Sequence, residues 1–171
     1  MADPDRTRSG CEVSRSSARL GAVQALYQMD IAGTDFSEVL AQFGAGRMGE
    51  VFEDGECGEA DFSFLKDIVE GVVTRQREVD RAIEDHLAAT WTLGRLDSTL
   101  RATLRAGAYE LLFRPDVPAR VTINEYVDVA RAFFDDEEPR VVNGVLDAIA
   151  RAHRASELGS TCGLHPSTGP G

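Results

Sequence analysis

Arg15 and Arg19 lie one helical turn apart, with Arg6 and Arg8 upstream of them. A planar guanidinium pairs bidentately with phosphate and stacks on bases, so this group points to contact with a nucleic acid; its plain alternative is a solvated helix start. Arg101 and Arg105 repeat the spacing of four on the flank of another segment. Of the 18 basic residues only Lys66 is lysine, which fits either that recognition chemistry or a GC-rich genome.

Catalytic chemistry finds less support. Residues 44–49, GAGRMG, match GxGxxG, but a dinucleotide fingerprint needs a strand before it and a helix after it, and here an acidic run follows. The cluster Asp135, Asp136, Glu137 and Glu138 lacks the spaced ligands and turn glycine of a calcium loop, and reads as a solvated turn ahead of a helix. His86 and His153 fall on helices, and Cys162 and His165 have no second pair to complete a zinc site. With no GxSxG, HExxH or GxxxxGK, the reading is a binding protein with no catalytic residue, no metal site and no cofactor.

The elements that must position these residues are helices, because apolar residues recur at spacings of three and four and no strand pattern competes. A first helix spans Ser14 to Ile31, with Leu20, Val23, Tyr27 and Ile31 on one face and Gly33 as stop signal. Phe36, Val39, Leu40 and Phe43 make a short second helix, and residues 44–60 form an acidic, glycine-rich loop. A long third helix starts near Asp61 or Ser63 and carries its stripe from Leu65 to Leu87. A fourth runs from Leu96 through Leu111 and ends where Arg114 precedes Pro115. Thr122 and Glu125 have capping-box spacing for the next helix, and Pro139 suits the first position of the last, which buries Val142, Val145, Leu146 and Ile149. The expected organisation is one helical domain over 14–154 between disordered ends at 1–13 and 155–171.

The formal charge of -11 excludes coating of DNA or an anionic membrane by bulk electrostatics, so any nucleic-acid contact must be a local patch. Residues 31–64 hold eight acidic side chains and one basic, whereas 93–120 hold five basic and three acidic. Cys11, Cys57 and Cys162 form no CxxC pair and suit a reducing compartment. Neither a secretion signal nor an apolar run of about 18 residues is present, so the expectation is a cytoplasmic protein that makes no membrane contact.

Four segments, ARLGAVQALYQMD, LRAGAYELLF, VPARVTINEYVDVARAFF and VVNGVLDAIAR, resemble in this order the motifs of the NusB transcription antitermination family. The resemblance implies an all-α fold, two packed helical bundles forming a single compact domain, without catalytic activity. It implies partnership with NusE, a ribosomal protein of the small subunit, joint binding of boxA-type single-stranded RNA, and work with other Nus factors on RNA polymerase in ribosomal RNA operons. Arg15 and Arg19 match the family's arginine-rich segment, which Ser16 and Ser17 interrupt here, and Arg101 and Arg105 complete the expected RNA-binding set. Leu100 stands where the family often has an acidic residue. Tyr27, Tyr109, Glu110, Asn124 and Asn143 match motif positions expected to contact a partner or stack, and Gly144 is expected to allow close helix approach. Two alternatives stand beside this: a helical interaction adaptor without selective RNA binding, and the NusB-like domain preceding some ribosomal RNA cytosine methyltransferases, for which the chain ends too early.

Overall fold

The computed structural model describes the backbone of residues 4–42 and 59–159 and the side chains of 15–42 and 62–158. Phe43, the 44–58 part of the loop, Cys57, Cys162, His165 and the side chains of Arg6, Arg8 and Cys11 lie outside the described residues. Among the described residues every regular element is a helix. In chain order the helices are α1 (Pro4–Ala32), α2 (Phe36–Gln42), α3 (Glu59–Thr74), α4 (Gln76–His86), α5 (Ser98–Phe113), α6 (Ala119–Phe133), α7 (Glu137–His153) and α8 (Ala155–Gly159), with a 3-10 turn at Leu93–Arg95.

α5 is the shared centre of two bundles. On one side it packs against α1 and α3, with α2 against both of those; on the other it packs against α4, α6 and α7. Its sequence explains this place. Small residues Ala102, Ala106, Gly107 and Ala108 alternate with Leu100, Leu104 and Leu111, and all are buried, so neighbouring helices approach it from several directions. Asp97 caps its start by accepting the Thr99 N–H at 2.8 Å, and Arg114 ends it before Pro115.

Several boundaries differ from the sequence expectation for physical reasons. The α1 backbone is helical from Pro4 rather than Ser14, with proline at the start where its missing N–H costs nothing. α1 also turns a different face inward: Ala18, Ala22, Val23, Ala25 and Leu26 are buried, while Tyr27 is 40% exposed and Ile31 60%. Alanines let α3 and α5 come close, so the small residues, not the large ones, mark the packed side. Gly33 does stop the helix, at φ +63°. The expected long third helix is bent at Arg75, φ -107° and ψ 23°, into α3 and α4. Hydrogen bonds still run from Arg75 N–H to Gly71 O (2.9 Å) and from Val79 N–H to Arg75 O (3.0 Å). The bend delivers Val72 to the first bundle and Val79 and Ile83 to the second, across an exposed stretch from Val73 to Glu78.

The capping box is not formed. α6 begins at Ala119, and Thr122 lies inside it with its hydroxyl near Pro118 O at 3.4 Å. α7 starts two residues before Pro139, which places Glu137 and Glu138 in the first turn at the helix's positive end. Residues 155–159, expected to be disordered, form α8, and Leu158 packs against the core.

Close helix approach falls on Gly71 and Gly107, not on Gly144, where an added Cβ would meet nothing within 4 Å. At Gly71 a Cβ would lie 2.1 Å from Cε2 and Cζ of Tyr109, whose hydroxyl is held 3.3 Å from both Asp67 carboxylate oxygens. The ring is buried and tethered, so it cannot step aside. Gly71→Ala gains up to about 1 kcal/mol of helix propensity and loses about 1–3 kcal/mol to overpacking. A net destabilisation of up to about 2 kcal/mol is expected in urea unfolding.

Candidate functional site

The two arginines in the middle of α1 have opposite environments. Arg15 is exposed, and its guanidinium lies 5.2 Å from the centre of the buried Phe64 ring; among the described residues it makes no ion pair. Its charge is therefore held in place yet open to solvent. Arg19, one turn later, is 2% exposed, which corrects the expectation that both occupy the exposed first turns. Nε and Nη2 of Arg19 donate to both oxygens of the fully buried Glu110 at 2.9–3.3 Å. Glu125 Oε2 lies 3.8 Å from Arg19 Nη1 and accepts the Ser16 hydroxyl at 2.6 Å. Burial opposes the charge on Arg19, but the hydrogen bonds and negative charge of Glu110 outweigh it and raise the guanidinium pKa. Glu125, read as a cap, is instead the carboxylate by which α6 holds α1.

Tyr126 is fully buried beside this pair. Burial, then the Glu110 charge, pushes its phenol well above the ordinary range, and burial followed by Asp67 raises Tyr109 in the same direction. An unfolded chain ionises these phenols near pH 10 while the folded one resists. Their stabilising contribution is thus complete below about pH 10 and lost as pH rises beyond it, and the urea midpoint should fall between about pH 8 and pH 11.

Arg101 and Arg105 are struts. Arg101 Nη1 donates to the carbonyls of Leu93, Gly94 and Leu96, and its Nη2 to Asp30 at the end of α1. Arg105 Nε and Nη2 donate to Asp80 of α4 at 2.8 and 3.0 Å. Of the residues expected at a partner surface, Tyr109 and Glu110 are internal, whereas Tyr27, Asn124 and Asn143 are exposed.

Asn124 and Asn143 share a groove of about 660 Å³ between α6 and α7, with Arg131 and Arg140 on its walls and Asp128, Asp135 and Asp136 beside them. A second hollow of about 360 Å³ joins Arg15 to Val117, Pro118 and Val121 and again to Asn124. Asn124 lines both, so the two hollows lie side by side as a track from Arg15 in the middle of α1 along α6 to α7. The sequence reading missed Arg131 and Arg140; their only signal was a place beside the acidic turn, which reads as a solvated surface. Arg114 stands near the other end of the track, over Phe64 at 5.0 Å, with its pKa raised by the hydrogen bonds it donates to Asp116 and Asp67 despite partial burial. Among the described residues, no group of His, Cys, Asp and Glu could hold a metal ion.

Comparison with known proteins places this architecture. The sequence model of the NusB family matches residues 16–151. The transcription antitermination protein NusB of Sinorhizobium fredii is 53% identical over 140 residues, covering 82% of this chain and 88% of its own. That of Caulobacter vibrioides is 50% identical over 140 residues, covering 82% and 94%. Among solved structures, T. maritima NusB superposes with TM-score 0.67 at 28% identity, over 81% of this chain and 92% of that one. NusB in a crystal structure of the antitermination factors NusB and NusE with double-stranded RNA superposes with TM-score 0.65 at 31% identity, over 81% and 97%. The motifs, the two bundles around α5 and the match across residues 16–151 make the chain a member of the NusB family.

Proposed function

We propose that this chain is a transcription antitermination factor that pairs with NusE, binds boxA-type single-stranded RNA with it, and joins other Nus factors on RNA polymerase to promote processive transcription of ribosomal RNA operons. The observation that carries the reading is identity of about half over more than four fifths of the chain to transcription antitermination proteins NusB. A solved relative held with NusE and double-stranded RNA supports NusE and RNA as partners. The chain's own chemistry agrees. Arg15 offers an open guanidinium, and the track through Asn124 to Asn143 offers amides, arginines and exposed Val121 to a strand with splayed bases.

A chain of charge -11 binds RNA weakly by itself, and NusE supplies the missing affinity because joining two weak sites raises their effective concentration. The protein acts as a binding adaptor, not as an enzyme, and needs no cofactor. It works in the cytoplasm; none of the described helices is long and apolar enough to cross a membrane. Transcription over a boxA-bearing template with a downstream terminator, in the presence of NusE and the other Nus factors, tests the reading. Readthrough should rise when the chain is added; equal readthrough with and without it refutes the proposal.

A further inference from the structure

The contacts that close the described part of the chain fall outside the 16–151 span of the family match. Arg154 ends α7 with its side chain only 7% exposed, and reaches back to the link between α5 and α6. Its Nη2 donates to the carbonyls of Pro115 at 3.2 Å and Val117 at 2.7 Å, and pairs with Glu157 Oε2 at 2.6 Å. Glu157 Oε1 accepts the backbone N–H of Ala119, also at 2.6 Å. Ala119 is the first residue of α6, whose N-cap position holds Pro118, a residue with no side-chain acceptor. A carboxylate from 38 positions downstream therefore does the work of the missing cap, and its charge sits at the positive end of α6.

The segment so held is one wall of the track: Val117, Pro118 and Val121 line it opposite Arg15. Arg154 and Glu157 do not line it. We infer that Arg154 and Glu157 form a positioning latch that fixes the α5–α6 link and the start of α6 in the geometry RNA requires, so that RNA affinity depends on two side chains the RNA does not touch. This inference rests on the RNA-binding reading above.

Glu157→Ala in the full chain removes the carboxylate's contacts with Ala119 and Arg154 while leaving Arg154 its two carbonyls, and Glu157→Gln keeps an acceptor for Ala119. Hydrogen exchange at Ala119 should quicken at least tenfold in Glu157→Ala and be largely restored in Glu157→Gln. The boxA affinity of the Glu157→Ala chain paired with NusE should fall about fivefold, with the salt dependence of binding unchanged because no phosphate contact is lost. Unchanged exchange at Ala119 overturns the latch. Faster exchange with wild-type boxA affinity overturns its role in RNA binding, leaving only a cap, and an altered salt slope overturns the claim that it acts at a distance from RNA. If the wild-type pair itself shows no preference for boxA, the functional reading fails and the positioning role with it, while the exchange measurement still reports separately on the latch.

Discussion

Glu110→Ala should destabilise the fold by about 3–5 kcal/mol, the cost of leaving a buried charge without its partner. Arg19 is 2% exposed, and Glu110 is its bidentate partner; Glu125, at 3.8 Å, is too distant to replace two hydrogen bonds. With only 2% of Arg19 exposed, little water is in place to take over the lost hydrogen bonds, so the protein either strains or opens there. A domain with about 5–15 kcal/mol of total stability would survive this only marginally. The pair itself is worth far less than its breakage costs. Replacing both members with apolar residues of similar size, Arg19→Met with Glu110→Leu, should recover most of the loss. Urea unfolding followed by circular dichroism measures both variants; a loss below about 1 kcal/mol for Glu110→Ala would mean that Arg19 is not sealed in the folded state.

Arg15→Ala should leave stability within about 0.5 kcal/mol of wild type, since the side chain is exposed and unpaired among the described residues. The same change should weaken boxA binding by the chain–NusE pair about tenfold and reduce the salt slope by about 0.7, the loss of one phosphate contact on a single strand. Part of that affinity comes from preorganisation, because Phe64 already holds the guanidinium in place before RNA arrives. Arg105→Ala is the matched control. Arg105 is committed to Asp80, so its loss should cost about 1–2 kcal/mol of stability and leave RNA affinity unchanged. Equal RNA binding by wild type and Arg15→Ala would remove Arg15 from the interface.

Which parts of this arrangement were legible in the sequence follows from how far apart the interacting residues lie. Gly33, the Arg114–Pro115 junction and the Leu100–Leu104–Leu111 stripe act within one or two helix turns, and each fixes its element. The inward face of α1 was misread because alanines form it, and alanine leaves little mark on a pattern drawn from large apolar residues. Arg19 looked like Arg15 because its partner is 91 positions away in Glu110, and no spacing rule connects them. A hint did exist: the small residues around α5 mark a helix enclosed on many sides, where a glutamate must find a buried cation. The bend at Arg75 left no sign because the hydrogen-bond ladder passes through it almost intact. Family resemblance supplied the motif positions but not their burial, so Tyr109 and Glu110 were grouped with Asn124 and Asn143, although the first two build the core and the others face the groove.

The central claim is selective RNA recognition by a pair of proteins, and the most direct test is an anisotropy titration of labelled boxA RNA against a scrambled RNA of the same composition. This chain alone, NusE alone and the two together are compared at one salt concentration. The pair should bind boxA at least tenfold more tightly than the scrambled strand and more tightly than either protein alone. A stable pair that binds the two RNAs equally would contradict the account and leave a helical adaptor that recognises only protein.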